Sequence, residues 1–410
     1  MEHYEFEQGS VSIVSAWTRD EIVKGIQDLL LKFEDELPVD RRARIVLKPN
    51  LNNDLIALTG NSVDLRVIVA LIECLAQRGY SNLAIADGPN VGVHRRGIDV
   101  FKRLRIDAVA AMYGVDLLDL NADVGIEVHL PRSGCVRVSR AVVECDFIIN
   151  IPTVKTHTQM GLSCAMKNWM GIVVGKDKRR MHHDLARNIV AVHLACPPDL
   201  VLVDGVVGME GNGPGDGDPV RLGRLVMSNS SALTDVVVAG MVGLPIASIP
   251  YLIDSQRLMP SLSDVFDAVK RTVDLVRRFR PAPQRTFWAR LIDSPWLLWL
   301  KWLARPITQH ELTLAAAYQL GLVQDVYARV DDAVTSVRRN PTVVGVSQSW
   351  SDYCPTGLTA EEIGDVTQND RCIQCLYCWW VDSNNGLDLF GDVGHLRRQI
   401  DRYKQTIEGL

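Results

Sequence analysis

The sequence predicts an α/β fold: a mainly parallel sheet with helices on both faces, followed by a small cysteine-bearing C-terminal module. Three observations carry that expectation. From residue 44 to about 250, short continuous apolar runs alternate with longer helical stretches, the pattern of β-α-β units in a sheet buried on both faces. Polar clusters recur at the ends of the apolar runs, where open sheets of this kind collect their ligands. Near the C-terminus three cysteines, Cys372, Cys375 and Cys378, stand three residues apart.

Taken in order, Arg44–Lys48 reads as a buried strand closed by Pro49-Asn50. Val63–Gly79 reads as a helix, apolar on most sides and ended by glycine. Leu83–Asp87 is the next strand, followed by a Gly88-Pro89 turn. A helix over about 97–113 leads to strands near 115–120, 126–130, 135–139 and 146–151. A helix near 184–195 precedes the strand Leu200–Asp204. The expected organisation is a core domain over 1–265, a basic tryptophan-rich insertion over 266–310, a return to the core over 311–343, and a module with a C-terminal helix over 344–410.

Composition narrows the class. The chain has 410 residues, 47% hydrophobic and 23% charged, with net charge −5, long enough for two or three domains with substantial cores. That balance offers nucleic acid no bulk basic surface. The acidic start, Met1-Glu2-His3-Tyr4-Glu5, has no apolar run of the secretory kind, so a cytoplasmic protein is expected. Nine cysteines, an odd number, fit a reducing compartment better than a disulfide framework. Cys74, Cys135, Cys145, Cys164 and Cys196 lie mostly in apolar runs and read as buried small hydrophobes, with Cys164 the exception because it falls inside the densest polar motif.

Residues 268–306 break the pattern with nine Lys/Arg against two acids, and with Trp288, Trp296, Trp299 and Trp302. The apolar run there is too short and too flanked by charge to span a bilayer. It suits an interfacial helix on an anionic membrane, with contact through 286–306. It suits equally a lid or subunit-contact helix whose tryptophans bury in protein.

The cysteine run reads C-x2-C-x2-C, and eighteen residues before it stands Cys354-Pro355. In a bacterial two-cluster ferredoxin each half reads C-x2-C-x2-C-x3-C-P, and the last cysteine of one half ligates the other cluster. Counting back from Cys354 finds Val344, Ser347 and Trp350 where the first half's other cysteines would be. Counting on from Cys378 finds Asp382 and Ser383 in place of Cys-Pro. The missing ligands all belong to one cluster and the retained ones to the other. The segment from about 345 to 385 therefore resembles a ferredoxin module that keeps one [4Fe–4S] cluster on Cys354, Cys372, Cys375 and Cys378. A zinc site is the alternative, but zinc sites usually use separated C-x2-C pairs. Trp379 and Trp380, directly after the last ligand, would shield a cluster from water.

The densest polar run follows the strand ending at Ile151: Pro152-Thr-Val-Lys155-Thr-His157, then Lys167-Asn168, then Met181-His182-His183. In an extended segment Lys155 and His157 point to one side, placing an ammonium and an imidazole at one ligand. Gly175-Lys-Asp-Lys-Arg-Arg, with four cations in six residues, is either a solvated face or an anion clamp. His157, His182 and His183 lack the i, i+4 spacing that makes a metal motif specific. His94, His129, His193 and His310 read as structural or surface residues. A glycine-rich stretch after Asp204, with six glycines from 205 to 217, is expected to be a ligand-closing loop carrying Glu210 and Asn212. It has neither a dinucleotide fingerprint nor a P-loop ending.

Together, Lys48-Pro49-Asn50, Asp87-Gly88-Pro89, Ile151 to His157, Ala165-Met166-Lys167-Asn168 through His182, and Asp204-Gly205 through Pro214 resemble the family called domain of unknown function 362. Its members are often labelled iron–sulphur-centre proteins and often carry a ferredoxin-like module. The resemblance covers about residues 40–250. A more distant similarity is to the nickel-pincer lactate racemase group, an analogy of architecture with a Lys/His-rich segment.

The expected function is an iron–sulphur oxidoreductase supplied by an electron donor such as a ferredoxin. The cleft would take an anionic small molecule, with Lys155 and Lys167 binding the anion and His157 and Glu210 moving protons. Lys48, Asn50, Asp87, Asn168, His182, Asp204 and Asn212 would complete it. The rival expectations are a non-redox isomerase or lyase and a membrane-peripheral electron carrier or assembly factor.

Overall fold

The computed structural model describes residues 1–94, 97–258, 262–283, 333–343, 345, 347–363, 369–393 and 395–410. Most of the tryptophan-rich stretch, with Trp288, Trp296, Trp299 and Trp302, lies outside the described residues, as do His310 and Val344.

Ten strands form one sheet. In chain order they are β1 (Glu2–Phe6), β2 (Gly9–Ser15), β3 (Ile45–Pro49), β4 (Leu83–Asp87) and β5 (Asp116–Asp119), then β8 (Phe147–Ile151), β9 (Thr153–His157), β10 (Gly161–Ser163), β11 (Leu200–Glu210) and β12 (Asp218–Ser228). The spatial order is β1-β2-β12-β11-β8-β3-β4-β5, with β9 beside β11 and β10 beside β9. From β11 through β8, β3, β4 and β5 every pairing is parallel, as the alternation predicts. The β1-β2-β12-β11 flank is antiparallel. Two intervening strands, β6 (Gly125–Leu130) and β7 (Gly134–Ser139), leave the sheet as a separate hairpin.

Period-2 alternation assigns each strand residue to one of two cores. Ile45, Leu47, Ile149, Ile151, Leu200 and Leu202 face the helices Arg19–Lys32 and Leu65–Gln77. Val46, Ile148, Val201 and Val203 face Leu185–Ala195 and Ser231–Met241. Both faces are thus covered.

Three expectations change. The helix over 97–113 is two, Val100–Arg103 and Ile106–Tyr113, because Arg105 turns left-handed (φ 63°) and donates from Nε to the Gln374 carbonyl at 3.2 Å. The strand from Leu200 does not end at Asp204 but runs to Glu210, because antiparallel β12 pairs with its whole length past a bulge between Gly205 and Val207. Cys135 is not a core residue: it sits half-exposed on β7, with Sγ 3.1 Å from His129 Nδ1.

The described C-terminal residues form a two-stranded antiparallel sheet, β13 (Ala333–Arg339) with β14 (Leu387–Asp392), and short helices ending in Arg397–Glu408. They share a hydrophobic core with the α/β domain: Trp350, Tyr377, Trp380 and Tyr403 belong to the cluster containing Leu65 and Ile68. No helix among the described residues is long and apolar enough to cross a membrane.

Candidate functional site

The site is built at the carboxyl ends of the parallel strands. Lys48, near the end of β3, is fully buried. Its Nζ lies 2.6 Å from Asp87 Oδ1 at the end of β4 and also donates to the Pro49 carbonyl and to Asn168 Oδ1, at 3.1 and 3.2 Å. The other Asp87 oxygen accepts the Leu51 amide at 2.8 Å. Gly171 packs on this pair so closely that a Cβ there would stand 2.3 Å from Asp87 Oδ1 and 2.5 Å from Lys48 Nζ. Only glycine fits.

Amides link the next layer. Asn168 Oδ1 accepts from Asn50 Nδ2 at 2.8 Å, and Asn168 Nδ2 donates to Asn150 Oδ1 at 2.7 Å. Asn50 Oδ1 and the Asn61 carbonyl accept from Lys155 Nζ, both at 2.6 Å. Asn50, Asn168 and Lys155 border a cavity of about 520 Å³ lined also by Lys167, Lys178, Arg179, His157 and His182. Asp87 is the one carboxylate in that lining, and Lys48 occupies it. Lys178 is held by the Gly88 carbonyl and by Asn121 Oδ1. Among the described residues, the Lys167 ammonium has no hydrogen-bond or ion-pair partner.

Four lysines thus crowd a poorly solvated space. Burial lowers the Lys48 pKa, against the pull of Asp87. Burial, then Lys167, brings Lys155 down to about 7; burial brings Lys178 to about 7; burial, then Lys48, brings Lys167 to about 8. An anion in the cavity would restore their charge.

The sign of the linkage follows. Between pH 7 and about 8.5 the unfolded chain keeps these three protons while the folded one releases them, so stability rises with pH. Sulfate binding, which needs the protonated form, weakens over the same range. Urea denaturation and calorimetric sulfate titration at pH 7 and 8.5 check both trends; parallel rather than opposite trends would contradict this charge assignment.

His157 Nδ1 receives the amides of Gln159 and Met160, at 3.0 and 3.3 Å. An amide only donates, so Nδ1 is the unprotonated nitrogen and Nε2 carries the hydrogen. The ring is set to donate from Nε2. Lys48, paired with Asp87, and three other expected residues stand outside the cavity lining. Glu210 is tied to Arg280, accepting its backbone N–H at 2.8 Å and its Nε at 3.2 Å. Asp204 caps buried amides of Asp64 and Val206, at 2.7 and 3.0 Å, and burial, then Asp64, pushes its carboxyl up to about 7. Asn212 bonds Asp216 at 3.3 Å. Each is engaged in holding the chain, and of the glycine-rich loop only Pro214 reaches the cavity. Asn150, Asn61 and Gly171 are not among the expected site residues, whereas Lys178 and Arg179 come from the expected anion clamp. Asn150 had a signal, a single amide in the apolar strand Phe-Ile-Ile-Asn-Ile.

The four cysteines of the C-terminal run line one small, mostly apolar cavity with Pro355, Leu358 and Ile373. Each sulphur is met by a backbone N–H: Leu358 to Cys354 at 3.3 Å, Gln374 to Cys372 at 3.4 Å, Tyr377 to Cys375, and Trp379 to Cys378. The loop achieves this by holding Gln374 and Leu376 left-handed, φ 53° and 65°, at a cost of about 1–3 kcal/mol each. Burial pushes the Cys372, Cys375 and Cys378 thiols up, and the Cys354 sulphur adds to each shift. Among the described residues no three His, Cys, Asp or Glu side chains converge as ligands of a single ion.

One segment joins the two places. Asn50 borders the lysine cavity, the Asn61 carbonyl holds Lys155, and four residues beyond Asn61 the Leu65 amide donates to Tyr377 Oη, in the cysteine loop, at 3.2 Å.

Comparison with known proteins places the chain. The thylakoid-associated protein sll1697 of Synechocystis is 30% identical over 237 residues, covering 52% of this chain and 68% of that protein. Among solved structures, the lactate racemase apoprotein from Thermoanaerobacterium thermosaccharolyticum matches with TM-score 0.33 and 12% identity, over 53% of this chain and about half of its own, 54%. Residues 45–240 match the family described as Domain of unknown function (DUF362), and they contain every residue named in the lysine cavity. With that relative matched over two thirds of its length, the chain belongs to this family.

Proposed function

We propose that the protein is an iron–sulphur oxidoreductase that acts on an anionic small molecule in the lysine cavity. The observation that carries this reading is the arrangement of four cysteine sulphurs around one cavity, each with its own amide donor. Amide donors stabilise thiolates and are among the features that tune such centres. Four thiolates lining one apolar cavity repel one another, and a metal core would supply the balancing charge. The donor set therefore fits a [4Fe–4S] cluster, held by Cys354, Cys372, Cys375 and Cys378. When bound, such a cluster supplies one-electron transfer, with a small carrier such as a ferredoxin as its donor.

The chain's own residues do the rest. Trp380, fully buried, and Trp379, edge-on to it at 5.6 Å, keep water from the cysteine loop. Lys167 offers its ammonium to the substrate anion, Lys155 and Lys178 add charge around it, and His157 donates from Nε2. The experiment is anaerobic loading with iron and sulphide of wild type and Cys375→Ser. Dithionite should bleach the first and find nothing to reduce in the second; equal behaviour of both would refute the ligand set.

A peripheral place on a membrane belongs to the same reading, supported by the name of the thylakoid-associated relative and the composition of 286–306. Wild type should pellet with anionic vesicles, and Trp299→Ala with Trp302→Ala should remain in the supernatant. Pelleting by the double variant to the wild-type extent would sink this placement.

A further inference from the structure

The lysine cavity adjoins a second one of about 600 Å³, and the two share His157, Thr158, Gln159 and His182. Beyond those residues the second cavity is walled by Met160, Leu185, Leu244, Pro281, Ala282 and Ser248. Every lysine, arginine and carboxylate of the combined lining lies in the first cavity; in the second, the two histidines at the junction are the titratable residues.

The walls of the second cavity are fixed. Gly161 has φ +70°, and a Cβ there would stand 2.3 Å from the Ser248 carbonyl, so the β9–β10 hairpin lies directly on the Ile246–Ser248 turn. Another part of the wall, Pro281-Ala282, is held by the Phe279 amide on the Val242 carbonyl at 3.0 Å and by Arg280 on Glu210 and Asp218. The buried Glu210 carboxylate thus anchors a wall of this cavity through Arg280.

We propose that the two compartments bind one amphiphile, with an anionic head among Lys155, Lys167 and Lys178 and an uncharged, largely apolar tail running past His157 and His182 against Met160, Leu244 and Ala282. This rests on the anion reading of the lysine cavity. A small anion fills only the first compartment, whereas a tail gains by displacing water from the apolar walls of the second.

The test is calorimetric titration with ethyl, hexyl and decyl phosphate below their micelle concentrations, and with hexanoate and decanoate. A fully buried methylene is worth up to about fourfold in affinity, so hexyl phosphate should bind at least about tenfold tighter than ethyl phosphate. The same gain with chain length among the alkanoates supports the tail compartment and assigns a carboxylate head. Ala282→Trp should abolish the gain while leaving ethyl phosphate affinity unchanged. Ser248→Tyr, from a different part of the wall, should do the same and serves if the first variant fails to fold. Equal affinity for short and long chains, or a gain that survives both variants, overturns the proposal while leaving the anion site intact. No binding of ethyl or inorganic phosphate by folded wild type removes the anion site itself, and the proposal with it.

Discussion

Asp87→Ala should lower the unfolding free energy by about 3–5 kcal/mol, because it strands the Lys48 ammonium in a site without water. The Lys48 side chain is 0% exposed and that of Asp87 4%, so neither charge has solvent to fall back on. The variant also orphans the Leu51 amide. Lys48→Met combined with Asp87→Leu removes both charges at once, and much of the loss should return, since a buried pair replaced by apolar groups is often neutral. Urea denaturation of Lys48→Met, Asp87→Leu and the double variant forms the cycle. A double variant as unstable as the sum of the singles would show that the two residues do not act as a pair.

Arg66→Leu is the second large effect, also expected at about 3–5 kcal/mol. Arg66 is completely buried, and Asp64 meets it through Nε, with both carboxylate oxygens at 3.1 Å, and through Nη2 at 2.7 Å. Asp64 also caps the helix that begins at Leu65. The guanidinium reaches the carbonyls of Trp17 and Asp352, at 2.8 and 3.3 Å, and lies 4.3 Å over the Tyr353 ring. It therefore ties the first domain to the residues just before Cys354. Limited proteolysis should cut the variant after residue 340 sooner than wild type, and unchanged cleavage with unchanged stability would count against this tie.

Local pattern carried much of this architecture, and its failures have physical causes. Continuous apolar runs at 45–49, 83–87 and 147–151 announce buried parallel strands because no face of them meets water. Lys48, Asn50, Asp87, Lys155, Lys167 and Asn168 were legible because polar groups at strand ends in an apolar frame need partners, and most of them find one another. Glycine content misled for 205–210: backbone freedom there serves a bulge and close strand contact, not a mobile loop. Glu210 was expected to move protons and Asp204 to complete the cleft, yet their partners, Arg280 and the Asp64 amide, are 70 and 140 residues away in sequence. Such pairings are set by topology, which spacing along the chain does not encode. Asn61 was invisible because its contribution to Lys155 is a backbone carbonyl, which any side chain would leave in place.

The central claim is that Cys354, Cys372, Cys375 and Cys378 hold a cluster beside a cleft for anions. Counting iron and acid-labile sulphide in anaerobically loaded protein tests it most directly. The account predicts about four of each per chain, with iron falling sharply in Cys375→Ser. Fewer than about three irons, or a single tightly bound zinc in their place, would contradict it.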